Sequence, residues 1–141
     1  MAQLRDILGI NARSADFLLH NKKSARKRAD NKLLTKRVLR RANIPHPRLL
    51  AKLKSRKAAE KFDWLSLSGS FVIKPVQGLG GQGVLIVKKK LADVDKWVLP
   101  GGGLVGERDL TLHALDIVEG RYSRNNLSDI AMVEERVKIH P

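Results

Sequence analysis

Cysteine is absent from the 141 residues, which excludes disulfide frameworks and thiolate metal sites. A chain of this kind suits a reducing compartment, and a cytoplasmic location is expected. Aromatic residues are only 4% of the chain, and acidic residues number 14 against 28 lysines and arginines, a formal net charge of +14. No apolar run approaches the ~18 residues of a membrane span, so no membrane partner is expected. The opening stretch, MAQLRDILGINARSADFLL, contains acids and lacks the apolar core of a secretory signal. His20, His46, His113 and His140 have no metal-ligand spacing and read as surface or structural residues. No Ser/His/Asp arrangement suggests a triad, and no internal repeat is visible.

Against these absences stands one dense stretch, FVIKPVQGLGGQGVLIV, residues 71 to 87. Phe71, Ile73 and Pro75 alternate with Val72 and Lys74, which predicts a strand. Gly78, Gly80, Gly81 and Gly83 let the backbone reach positive φ and approach a ligand closely. VLIV then resumes as a second strand. A lysine-bearing strand, a glycine turn and a returning strand make a hairpin, spanning 71 to 90, that can fold over a polyphosphate. Loop amides would donate to phosphate oxygens, and Lys74 would add a point charge beside them. GLGGQG also satisfies G-x-G-x-x-G, but the dinucleotide reading needs a helix after the last glycine, and VLIVKKK is not a helix start. The protein-kinase loop is closer in geometry, yet no V-A-I-K, H-R-D or D-F-G accompanies it. A G-x-x-x-x-G-K-[ST] loop would place its lysine after the glycines, whereas Lys74 precedes them. The plain alternative is a glycine-rich hairpin with a solvated edge lysine. Four glycines in six positions cost entropy and add no packing, which favours the functional reading.

Elsewhere the periodicity marks helices and a strand. Residues 31 to 42 predict a helix capped by Asp30, with Leu34, Val38 and Ala42 as its buried stripe. Asn43 suits the left-handed position after it, Ile44 the accompanying apolar contact, and Pro45 stops continuation. Residues 109 to 119 predict a second helix burying Leu110, Ala114, Leu115 and Val118 and ending at Gly120. IAMVEERV, residues 130 to 137, reads as a strand, VLPGGG at 98 to 103 as a loop, and 48 to 61 as a basic, half-exposed stretch. The resulting fold class is α+β, a small antiparallel sheet with helices packed on one face. Residues 1 to 30 form a basic N-terminal segment with apolar anchors at Leu4, Ile7, Leu8, Ile10, Phe17 and Leu18, and 31 to 141 form the nucleotide-binding unit.

Charge is concentrated at one end. Residues 1 to 61 hold 18 Lys+Arg and 4 Asp+Glu, whereas 62 to 141 hold 10 of each, and the densest run is KKSARKR at 22 to 28. Two readings stay open. Basic helices can face solvent and partly surround a polyanionic nucleotide, or residues 22 to 57 can bind RNA or an acidic protein as a non-enzymatic module. No aromatic residue is interleaved in the run for stacking on bases.

Taken in order, LGIN at 8 to 11, Ala15-Asp16, DNKLLTK with the I-P-x-P turn at 44 to 47, FVIKP with GxGGxG, GRYS at 120 to 123 and VEE at 133 to 135 resemble the ATP-grasp superfamily. The closest likeness is to α-L-glutamate ligase-like proteins, relatives of the ligases that add glutamate to a ribosomal protein. The resemblance implies ATP as ligand and an ATP-dependent carboxylate–amine ligase acting through an acyl phosphate. It implies that Lys32 reaches the phosphates, that Lys74 bridges the phosphate and adenine sides, and that Gly78, Gly80, Gly81 and Gly83 form the lid. By the same likeness Glu134 accepts from the adenine amino group and Val137 offers its backbone amide to the ring; taken alone, Lys32 would read as an exposed helix lysine and Glu135 as a solvated strand edge. The family's magnesium carboxylates and phosphate-binding arginine lie in a second half of the fold, after the hinge strand. With the sequence ending at His140-Pro141, the resemblance implies an N-terminal portion of that fold, with no Mg2+ ligands and no turnover alone. Exposed Met132, Val133 and Val137, with self-association or a second polypeptide to cover them, are expected on the same ground.

Overall fold

The computed structural model describes residues 19–78, 80–92, 94–123 and 126–137. The apolar anchors expected between Leu4 and Leu18, the motifs at 8 to 11 and at Ala15-Asp16, and His140 lie outside the described residues. In chain order the elements are α1 (Lys23–Asp30), α2 (Lys32–Arg41), β1 (Leu49–Leu53), α3 (Arg56–Glu60), β2 (Phe71–Pro75), β3 (Leu85–Val87), β4 (Lys89–Lys90), β5 (Lys96–Val98), β6 (Leu104–Gly106), α4 (Glu107–Val118) and β7 (Ala131–Glu135). The strands form a four-stranded sheet in the order β1–β7–β2–β3 and a three-stranded sheet in the order β4–β5–β6, with antiparallel pairing throughout. The α+β class, the small antiparallel sheet and the glycine hairpin are as expected. Among the described residues no helix is long and apolar enough to cross a membrane.

The period of two in β2 divides the larger sheet into two chemically different faces. Phe71, Ile73 and Pro75 are buried on one side, and Val72 and Lys74 are half-buried on the other. Register carries the division across the sheet, pairing Phe71 with Val87, and Ile73 with Leu85 and Val133. Leu110, Ala114 and Ile117 of α4 join Phe71, Ile73, Val87, Ala131 and Val133 in the core. Apolar helix packing, by α4, is therefore on this face. The scarce aromatics are spent here: Phe62 meets Trp64 edge-on at 4.7 Å between centroids, and Phe71 lies 6.2 Å from Trp64 and 6.4 Å from Trp97. Trp64 Nε1 donates to Thr111 Oγ1 at 2.9 Å, which satisfies its polar end inside the core.

Several expectations are corrected by the tertiary arrangement. Met132 and Val133 are fully buried rather than exposed, because β7 is an inner strand between β1 and β2. Val137, past the strand's end, is 63% exposed. The cap of α2 is Asn31 and not Asp30: its side chain accepts from Leu33 N at 3.1 Å and Leu34 N at 3.0 Å, while Asp30 closes α1. The Leu34–Val38–Ala42 stripe is not buried. Leu34 is half-buried, Val38 is 46% exposed and α2 has no buried residue, because the stripe borders a shallow cleft shared with Ser24, Lys27 and Arg28 of α1 while two lysines tie the helix to the sheet. The stop is as expected, with Asn43 at φ 54° and Ile44 N donating to Leu39 O at 2.9 Å.

The basic stretch 48 to 61 is largely exposed or half-buried, as expected, and holds β1 and α3. The register of β1 shifts between Leu49 and Ala51, and the bulge breaks the alternation that would have marked a strand. Helix α4 begins at Glu107, two residues before the expected start, where Gly106 N donates to Asp109 Oδ2 at 2.8 Å. Its end at Gly120 is strict. This residue has φ +90°, and a Cβ there would meet Leu127 O at 2.5 Å. Gly120→Ala should therefore destabilise the fold by on the order of 2 kcal/mol. Thermal unfolding followed by circular dichroism would show a Tm drop of several degrees, and an unchanged Tm would mean that the turn accommodates a side chain.

Candidate functional site

The sheet face away from α4 carries the charge. Val72 is opposite Glu134 and Lys74 opposite Met132, so Lys74 and Glu134 project to the same side as Ile86, which pairs with Val72. Glu134 is 3% exposed and stands between two cations. Lys74 Nζ pairs with its Oε1, and Lys36 Nζ stands 2.7 Å from Oε2 as an ion pair without hydrogen-bond alignment. Lys36 also donates to Pro47 O, and Lys32 Nζ donates to Val76 O at 3.3 Å and Gly78 O at 3.2 Å. Three lysines from two elements thus converge on one buried carboxylate and on the first carbonyls of the glycine loop.

These groups border a cleft of about 800 Å³ lined by Lys32, Val72, Lys74, Ile86, Glu134 and Val137, with Pro47, Val84, Glu135 and Arg136 at its margins. Burial lowers the pKa of Lys32, and the Lys74 charge lowers it further, while Asp129 and Glu134 act in the opposite direction. Glu135, read alone as a solvated edge, accepts from Arg48 N at 2.8 Å and forms one rim. Of the residues singled out in the sequence, Lys32, Lys74, Glu134 and Val137 are therefore gathered into one cleft. Gly78, Gly80, Gly81 and Gly83 are not among its lining residues. They form the loop beside it, joined to it through the Gly78 carbonyl on Lys32.

The loop has fixed ends and an open tip. Gly80, Gly81 and Gly83 have φ of +61°, +76° and +71°. A Cβ on Gly80 or Gly81 would meet nothing within 4 Å, whereas on Gly83 it would lie 2.6 Å from the Tyr122 ring, and on Gly78 it would collide with Pro75. At the entry, buried Asp129 accepts from Gln77 N at 2.8 Å and Ile130 N at 2.7 Å. At the exit, His113 Nε2 lies 3.0 Å from Gly83 O; a carbonyl only accepts, so Nε2 carries the proton.

Sequence reasoning missed Lys36, Asp129, His113 and Tyr122. Lys36 was accessible in principle, one helical turn after Lys32 on the same face. Tyr122 belongs to the GRYS stretch but carried no assigned role. Asp129 and His113 gave no local signal, because their partners are 52 and 30 residues away.

The model of the sugar-transfer associated ATP-grasp family matches residues 12–141. No curated protein matches the chain, and no solved structure does.

The His113 contact has a pH signature. Burial pulls its pKa below the ordinary 6.5, an effect larger than the opposing Gly83 hydrogen bond and Asp116 charge. Between the folded value and 6.5 the unfolded chain binds the proton first, so His113 opposes folding progressively as pH falls below 6.5. Its contribution is fully present above that value. Wild-type Tm should fall between pH of about 7 and about 5.5 more steeply than that of His113→Gln. Parallel profiles for the two proteins would exclude His113 as the source.

Proposed function

We propose, for a chain that belongs to the sugar-transfer associated ATP-grasp family, that the Lys32–Lys74–Glu134 cleft binds ATP for an ATP-dependent ligase. The carrying observation is the cleft itself: two lysines at its walls, an apolar surface from Val72 and Ile86, and a positive-φ glycine loop anchored at its edge. A flat apolar wall suits a purine ring, and ammonium groups beside loop amides suit its phosphates. Lys32 and Lys74 take the phosphate side in this reading, with Gly78, Gly80, Gly81 and Gly83 closing over it. Glu134 holds Lys74 and Lys36 in place. Each of its oxygens keeps a second lone pair, which leaves capacity to accept from the adenine amino group. Val137, exposed at the rim, offers its backbone amide to the ring. The basic module for RNA or acidic protein is not favoured by the family match.

The reaction proposed is the α-L-glutamate-type joining of a carboxylate to an amine. The γ-phosphoryl group passes to the carboxylate, ADP leaves, the amine attacks the acyl carbon, and phosphate departs as the amide forms and the nitrogen loses a proton. A magnesium ion accompanies ATP in such chemistry, and the described residues do not fit one. Magnesium takes carboxylate and water oxygens in octahedral geometry, but the cleft's inner carboxylate is engaged by two lysines. Among the described residues no group of three His, Cys, Asp or Glu side chains is placed to hold a metal. No step is therefore assigned to a metal on these residues.

Two outcomes follow. Lys74→Ala removes a charge-assisted contact and should weaken binding of a fluorescent ATP analogue roughly ten- to a hundredfold. Unchanged affinity, with the fold intact by circular dichroism, would remove Lys74 from the site. The chain supplied with magnesium, ATP, glutamate and an amine acceptor should bind nucleotide but release no sustained ADP or phosphate. Steady turnover by the chain alone would overturn the assignment of these residues to recognition only.

A further inference from the structure

A second cleft, of about 330 Å³, lies between α2 and the edge strand β1. Besides Lys36, which is paired with Glu134, its charged lining is four further cations: Arg37 and Arg40 from α2, and Lys52 and Lys54 from and just after β1, with Leu49 and Ile130 among its apolar lining residues. Among the described residues none of these four cations has a carboxylate partner, although six other lysines and arginines do. The local fold brings them together. Arg37 and Arg40 are three apart on the helix and share a face. Lys52 pairs with Met132, which places it on the same sheet face as Lys74 and Glu134, the face to which Lys36 ties α2. The β-bulge between Leu49 and Ala51 sets Leu49 opposite Glu134, on that face too.

We infer that this cleft is a second binding site, separate from the nucleotide cleft, for a small polyanion bearing two or more phosphate or carboxylate groups. Four like charges around one concavity repel one another, and a multiply charged anion relieves that repulsion. Two guanidinium forks match phosphate and carboxylate geometry, and the lysines add unspecific point charges. The apolar residues Leu49 and Ile130 suit the carbon skeleton between the anionic groups. A volume of about 330 Å³ suits a small molecule. Nucleic acid fits less well, because His46 is the only ring among the cleft's described lining residues and no Phe, Tyr or Trp is there for successive bases to stack on. The position also has a chemical sense. Lys36 lines this cleft while its ion-pair partner Glu134 lines the other, so the two ligands would lie on either side of one salt bridge.

The test is isothermal titration of the full chain with tripolyphosphate and with citrate, which separate the phosphate and carboxylate classes. At least one should bind saturably with one ion per chain at moderate salt. The double variant Arg40→Ala/Lys52→Ala should weaken that binding by at least about tenfold. Both positions are exposed, so the fold should hold. Arg37→Gln/Lys54→Gln provides an independent pair should the first variant prove unstable. Failure of both probes to bind overturns the inference. Binding lost with Lys74→Ala but kept in both cation-depleted variants overturns it also, because the probe would then occupy the nucleotide cleft. Tighter, steeply salt-dependent binding of a single-stranded RNA oligonucleotide, abolished by the same double variants, replaces the small ligand with nucleic acid.

Discussion

The Glu134 carboxylate, held between Lys74 of β2 and Lys36 of α2, is the interaction on which the site depends. Removing a carboxylate from water costs several kcal/mol unless it is paired and hydrogen-bonded, so an unpartnered Glu134 in the middle of the sheet would not stay there charged. Pairing it from both sides solves that problem and creates another structural fact. Helix α2 buries no side chain of its own, and its attachment to the sheet runs through Lys36 to Glu134 and Pro47, and through Lys32 to Val76 and Gly78. The position of Lys32 at the cleft thus depends on polar tethers, beside the half-buried Leu33, Leu34 and Leu39.

That arrangement separates stability from function within one sheet. The face under α4 holds Trp64, Phe71, Ile73 and Val133 in an aromatic-rich core, where each fully buried large side chain contributes roughly 1.5–3 kcal/mol. The opposite face carries the lysines, the buried carboxylate and two clefts. Because successive residues of a strand point to opposite faces, Ile73 and Lys74 do these two jobs as neighbours. Positively charged groups on the opposite face are held at close range by an apolar layer behind them, which is what the proposed recognition of a polyanion would require.

The glycine loop shows the same division at smaller scale. Asp129 secures its entry at Gln77, and His113 with Tyr122 secures its exit at Gly83, so both ends are pinned to elements that belong to or adjoin the core. Between them, Gly80 and Gly81 sit in open space with left-handed backbone angles. Residues with side chains would pay for such angles, and a Cβ would obstruct close approach of loop amides to phosphate. Open space around Gly80 and Gly81 between two fixed ends leaves room for a ligand beside the hairpin strands.

Local pattern was enough for much of this. The alternation in FVIKP marked β2 and the face of Lys74, the glycine spacing marked the loop, and Asn43 and Gly120 marked two helix ends, because strand period, left-handed angles and helix stops are properties of adjacent residues. The ATP-grasp likeness rested on the order of such local signals, and four of the residues it singled out, Lys32, Lys74, Glu134 and Val137, border one cleft. What local pattern could not carry was anything decided by a distant partner. The burial of Met132 and Val133 follows from β7 lying between β1 and β2, whose pairing joins residues 56 to 85 positions apart, and the placing of the Leu34–Val38–Ala42 stripe beside α1 rather than the sheet goes with Lys36 reaching Glu134. A bulge hid β1, and the short strands of the second sheet are too brief to show a period. The sequence by itself determined which residues could turn, alternate or carry charge. Only the tertiary structure decided which charges meet, because an ion pair across the fold leaves no trace in the residues beside it.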